Sequence, residues 1–91
     1  LFKNTLEITF FDEFGSYFFS PKKLVLNEVK GKTISLYPFP STKNITTIGL
    51  QWPLNNEYLE LTKRIGTRNV AVDEMVSIHF ESGDLVVFVS N

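Results

Sequence analysis

The chain has no cysteine, a single histidine and a single alanine among its 91 residues. Without cysteine no disulfide can support the fold, and this composition fits an intracellular protein. The lone histidine, His79, leaves few means of building a metal site or activating a nucleophile. No segment approaches the roughly 20 apolar residues of a membrane-spanning helix, and no signal-peptide pattern is present. The sequence therefore predicts no membrane partner.

Neither sign of charge dominates the chain. Nine basic and ten acidic side chains leave a net charge of −1, which favours neither nucleic acid nor an anionic membrane as a partner. The length suits one domain, so residues 1–91 are predicted to form a single β-rich domain. Because the chain begins at Leu1 instead of methionine, we interpret it as a processed product or a fragment of a larger chain. Its richness in Lys, Asn, Ile and Phe is typical of an AT-rich genome and favours a prokaryotic or phage source.

Aromatic side chains are concentrated near the start of the chain. Six of the ten residues from Phe10 to Phe19 are aromatic, and they flank Asp12-Glu13 and Gly15, which predict a hairpin turn. Both faces of this hairpin carry rings. Either a second layer covers both faces, or one aromatic face is exposed and binds something.

Alternating apolar residues predict strands along most of the chain. A hairpin with a tight turn at Gly31 is expected, followed by a proline-rich loop over 38–44. Within the strand 75–81, Val76, Ile78 and Phe80 are predicted to face the core and His79 the solvent. The last run is apolar on both faces and predicts a central strand. The predicted strands after the aromatic hairpin are 24–29, 32–37, 45–52, 69–72, 75–81 and 85–89.

Residues 55–65 are the one helix candidate. Leu54, Tyr58, Leu61 and Ile65 recur at helical spacing, and the segment has suitable capping residues. Leu59 and Leu61 also alternate as in a strand, so a strand remains the alternative for this segment. We predict a mostly β, antiparallel small sandwich or partly closed barrel of seven to eight short strands, with one short helix over about residues 55–65.

The motifs that suggest chemistry are weak. Gly31-Lys32-Thr33 matches the end of a phosphate-binding loop, but Leu26 occupies the position of the first glycine and the segment reads as a hairpin. The acidic pairs Asp12-Glu13 and Asp73-Glu74 lie at element edges, where solvating and turn-forming roles are usual. A domain this small has little room for a cleft between two catalytic carboxylates. The sequence thus predicts no catalytic, cofactor-binding or metal-binding residue, and no enzyme.

Three phenylalanines are the candidate partner-binding residues. Phe39 lies between Pro38 and Pro40, which stiffen the segment and lower the entropy lost on docking. An aromatic held in this way suits a binding anchor, although Phe39 could instead fold back over the end of the sheet. Phe14 and Phe18 belong to the aromatic hairpin. The expected partner is another protein or a second copy of the chain, because a symmetric dimer buries one patch against its own copy.

The leading functional prediction is a non-catalytic protein–protein interaction module, either an assembly domain or a small regulator or inhibitor. The alternative is a small barrel that binds single-stranded nucleic acid through basic clusters interleaved with aromatics. The overall acidic balance argues against that alternative. The residues that motivate it are Lys22, Lys23, Lys30, Lys32, Lys63, Arg64 and Arg68, with Tyr37, Phe39 and Trp52.

Overall fold

The computed structural model describes residues 9–60 and 67–91, and the side chains of residues 13–60 and 68–91. Eight strands and no helix occur in this part of the chain. The strands are β1 (Thr9–Asp12), β2 (Gly15–Phe19), β3 (Lys23–Asn27), β4 (Thr33–Ile48), β5 (Glu57–Glu60), β6 (Thr67–Val70), β7 (Met75–His79) and β8 (Ser82–Ser90).

All strand pairs are antiparallel, in the order β1-β2-β8-β4-β7-β3, with β5 and β6 also paired to β4. The 16-residue strand β4 joins the two halves of the sheet. Its first part pairs with β8 and β6, and its last part, 46–48, pairs with β7. A register shift between Pro38 and Thr42 interrupts the pairing, and such irregularities bend a strand. The sheet therefore curves into a partly closed barrel, which is one of the two predicted architectures.

The concave side of the sheet holds the core. Most of its buried members come from alternating positions of the strands, because successive side chains of a strand point to opposite faces. Val76, Ile78 and Phe80 are buried and His79 is exposed, which confirms the predicted faces of β7. Strand β8 lies between β2 and β4, so its central position is also confirmed. The other buried apolar residues are Val29, Ile34, Leu36, Ile45, Leu50, Leu54, Leu59, Ala71, Leu85 and Val87.

The prediction of a helix over 55–65 is wrong where the structure describes it. Glu57–Glu60 forms β5, whose residues pair with Ser41, Thr42 and Ile45 of β4. Leu59 is fully buried while Tyr58 is exposed, so the alternating pattern, not the helical one, matches the burial. Pairing with β4 overrides the local helical preference, as tertiary context often does. Residues 61–66 lie outside the described part of the chain.

Two local predictions around Gly31 and Pro38 are also wrong. Strand β3 pairs with β7 and does not form a hairpin with β4, while the Gly31 amide donates to the carbonyl of Ala71 at 2.8 Å. The proline-rich segment 38–44 is not a loop, because it lies inside β4. Proline is tolerated there since the pairing with β8 is interrupted at that point, and a missing amide donor costs least where the ladder is already broken.

Candidate functional site

One face of β2, β8, β4 and β6 points away from the core. In β4 the buried Ile34 and Leu36 alternate with Ser35 and Tyr37, which lie on this outer face. The strand registers place Tyr17 opposite Phe88, Phe88 opposite Ser35, and Ser35 opposite Arg68. Directly paired residues share a face. These four residues, Tyr17, Phe88, Ser35 and Arg68, therefore form one row across four adjacent strands.

A pocket of about 360 Å³ lies over this row. Small-molecule sites commonly have volumes of roughly 300–1,000 Å³ and combine apolar walls with a few polar groups. Four rings, five hydroxyl groups (two of them on the tyrosine rings) and one guanidinium group line this pocket. The lining residues are Phe14, Tyr17, Thr33, Ser35, Tyr37, Arg68, Phe88 and Ser90.

The sheet holds the lining groups in fixed positions. The rings of Tyr17 and Phe88 lie with centroids 4.7 Å apart and planes tilted by 44°, a favourable geometry for an aromatic pair. The Ser90 Oγ accepts a hydrogen bond of 2.9 Å from the Thr33 amide. Ser35 is only 3% exposed, and since it lines the pocket, its accessible part forms the floor between Phe88 and Arg68. The pocket thus has an aromatic end and a cationic end.

The three candidate partner-binding phenylalanines lie in different surroundings. Phe14 is 65% exposed and lines the pocket. Phe18 is partly buried and packs against the core. Phe39 is 53% exposed and meets the ring of Phe19 edge-to-face at 5.8 Å. The structure therefore brings Phe14 to the pocket and places Phe39 at a separate exposed aromatic pair with Phe19.

A turn after β4 exposes the single tryptophan of the chain. Ile48, Leu50 and Trp52 alternate within the predicted strand 45–52, yet they do not share one apolar face, because Leu50 is buried whereas Ile48 and Trp52 are exposed. Gly49 has a φ of 97°, and a Cβ there would lie 2.5 Å from the carbonyl oxygen of Met75. The chain leaves the strand register at this glycine. The Trp52 ring, 58% exposed, is presented beyond it.

Asn69 holds the backbone of Trp52 in place. Its Nδ2 donates to the Trp52 carbonyl at 2.7 Å, and the Trp52 amide donates to its Oδ1 at 3.0 Å. The Val70 amide donates to the same Oδ1 at 3.0 Å, and the Gln51 amide donates to the Val70 carbonyl at 2.8 Å. Asn69 is 4% exposed, so a buried side chain fixes the loop that carries Trp52. This loop adjoins β6, the strand that contributes Arg68 to the pocket.

Acidic residues and His79 do not assemble into a metal site in the part of the chain that the structure describes, where no three potential ligands come together. His79 is exposed on β7, paired with Lys23 on one side and Thr46 on the other. In the described residues no helix is long and apolar enough to cross a membrane.

The comparison with protein families gives one match. Residues 22–85 match the family described as thiamin pyrophosphokinase, vitamin B1 binding domain. Of the pocket residues, Thr33, Ser35, Tyr37 and Arg68 lie within the matched range. No curated protein sequence matches the chain.

Solved structures of three proteins named for thiamin pyrophosphokinase share the fold. Thiamine pyrophosphokinase from Bacillus subtilis superposes with a TM-score of 0.83 at 21% identity, covering 97% of this chain and 43% of that one. The enzyme from Geobacillus thermodenitrificans gives 0.80 at 16% identity, covering 91% and 40%. A thiamin pyrophosphokinase family protein from Enterococcus faecalis gives 0.73 at 17% identity, covering 91% and 39%. The chain thus spans about two fifths of the length of these structures.

These matches correct the functional predictions. The expectation of a non-catalytic interaction module or regulator, with a nucleic-acid-binding barrel as the alternative, is wrong, and so is the expectation of no enzyme. The family and the three similar structures are all named for thiamin pyrophosphokinase, which is an enzyme.

Proposed function

This chain belongs to the thiamin pyrophosphokinase vitamin B1 binding domain family, and we propose that it is the vitamin-binding part of such an enzyme. The family match over residues 22–85 is the observation that carries the proposal. The chain would be a single β-rich domain of a longer protein, since it spans about two fifths of the similar structures. Its role would be to hold thiamin while the rest of the protein supplies the pyrophosphoryl donor.

The aromatic pocket is the proposed thiamin site. Thiamin carries an aminopyrimidine ring and a positively charged thiazolium ring. Tyr17 and Phe88 form an aromatic surface on which flat rings can stack, and a cation over an aromatic face gains about 0.5–2 kcal/mol. The hydroxyl groups of Thr33, Ser35 and Ser90 line the same pocket. They offer hydrogen-bonding partners for the ring nitrogens and the amino group.

Replacing Tyr17 by leucine is expected to weaken thiamin binding by about tenfold, because it removes the ring that stacks and attracts the cation. Isothermal titration of the full-length protein with thiamin measures this change. Tyr58→Leu is the matched control, since Tyr58 is an exposed tyrosine on β5 that does not line the pocket. Equal losses in both variants, or none in either, would show that thiamin binds elsewhere.

We also propose that Phe39 contributes to an interface with a second copy of the protein. Phe39 and Phe19 are both exposed and contact each other, and exposed aromatic pairs are frequent interface anchors. Phe14, which lines the separate pocket, and Phe18, which packs against the core, are the other two residues proposed for partner binding.

Replacing Phe39 by serine is expected to raise the dissociation constant of the dimer by about tenfold or more, as for a central interface aromatic. Light scattering over a concentration series measures the mass of the full-length protein. Ile48→Ser is the control, because Ile48 is also exposed and apolar but is the last residue of β4, well beyond Phe39 along the strand. A protein that stays monomeric at every concentration contradicts the proposal.

A further inference from the structure

Among the eight described residues that line the pocket, Arg68 is the one that carries a charge, and none of the other seven is acidic. A guanidinium group stays positively charged at all physiological pH values. The pocket proposed for thiamin therefore carries a fixed positive charge, although the vitamin itself contains a cationic ring.

The strand registers separate this charge from the aromatic end. Ser35 lies between Phe88 and Arg68 in the row, and Tyr17 lies one strand further away. With adjacent strands 4.7–4.9 Å apart, Arg68 starts roughly 10 Å from Phe88 and about 14 Å from Tyr17 along the sheet. A cationic ring stacked on Tyr17 and Phe88 would thus avoid the repulsion of Arg68, which leaves Arg68 facing another part of the ligand.

The chemistry of an arginine at this end fits an anion. Its planar group donates two parallel hydrogen bonds to phosphate oxygens, and such charged pairs are among the strongest hydrogen bonds in proteins. The small, nearly buried Ser35 leaves the floor open between the two ends. Building on the proposed function, we propose that Arg68 binds the phosphoryl groups of phosphorylated thiamin, so that the pocket holds the phosphate esters of the vitamin more tightly than thiamin itself.

Isothermal titration of the full-length protein with thiamin, thiamin monophosphate and thiamin diphosphate tests this inference. The two esters are expected to bind about tenfold more tightly than thiamin. Arg68→Gln should remove that advantage and leave the affinity for thiamin equal or higher. Arg68→Lys, which keeps the charge but loses the planar fork, should retain part of it. Inorganic pyrophosphate is titrated as well, to test whether the pocket binds the anion without the thiamin part of the ligand.

Lys30→Gln is the matched control, because Lys30 is an exposed cation outside the pocket and its loss should change none of the affinities. Three results would overturn the inference while thiamin still binds: esters no tighter than thiamin, an equal loss for all three ligands in Arg68→Gln, or the same loss in Lys30→Gln. If inorganic pyrophosphate alone matches thiamin diphosphate, the site is a general anion site and the inference is also wrong. If neither thiamin nor its esters bind the unaltered protein, the proposed function itself fails.

Discussion

Replacing Ile78 by alanine is expected to lower the free energy of unfolding by about 2–5 kcal/mol, the usual cost of truncating a buried isoleucine. Ile78 is 1% exposed and lies within β7, paired with Leu24 of β3 and Thr47 of β4. The smaller side chain leaves a cavity at the point where three strands meet, and tightly paired strands cannot close over it. Denaturant titration with a common slope for the unaltered protein and the variant measures the loss.

His79→Ala is the neighbouring control. His79 is exposed, so its removal should change the free energy of unfolding by no more than about 0.5 kcal/mol. The contrast depends on which face of β7 points inward, because a shift of one residue in register exchanges the faces completely. A larger loss for His79→Ala than for Ile78→Ala would mean that the register of β7 is misassigned.

The same alternation explains which parts of the fold could be predicted. In β7 one face is apolar over several residues, and in β8 both faces are. The need to bury these apolar residues identifies each segment as a strand and shows which face of β7 points inward. The hairpin of β1 and β2 was predictable for another reason, since its turn is local and joins two consecutive strands. These strands could be predicted without knowing which distant strands they pair with.

The wrong predictions concern segments whose structure depends on distant pairing. A turn at Gly31 suggests that β3 and β4 pair with each other, yet β3 pairs with β7, about 50 residues away. The segment 57–60 has both helical and strand-like spacing, and only its contact with β4 decides between them. Long-range strand pairing leaves little local trace, because a strand's propensity mainly reflects its packing against neighbours.

The candidate site was less predictable than the fold. Aromatic and apolar residues on both faces of the 10–19 segment and of the final strand indicate an outer surface that needs covering, and Tyr17 and Phe88 lie there. Nothing local marks Ser35 or Arg68, whose positions follow only from the pairing of β4 with β6. Cross-strand rows are set by register, so four residues spread over more than 70 positions meet in one pocket without a contiguous motif.

Replacing Asn69 by alanine is expected to destabilise the protein by about 2–4 kcal/mol, because it removes three hydrogen bonds and leaves partly buried backbone groups unpaired. The side chain bridges the amide and the carbonyl of Trp52 and also accepts from the Val70 amide. Alanine has no side-chain donor or acceptor, so it can make none of these hydrogen bonds. Denaturant titration measures the stability, and hydrogen exchange read by mass spectrometry on peptides spanning Trp52 measures the order of the loop.

Asn55→Ala separates this effect from the general cost of losing an asparagine. Asn55 is exposed, so its replacement should change stability by no more than about 0.5 kcal/mol and leave exchange at Trp52 unaltered. In Asn69→Ala the Trp52 and Val70 amides should exchange much faster, while amides in β7 should accelerate only as far as the global loss of stability requires. Uniform acceleration throughout the sheet would mean that Asn69 supports the fold as a whole, and unchanged exchange at Trp52 would mean that the loop is held by the Gln51–Val70 hydrogen bond alone.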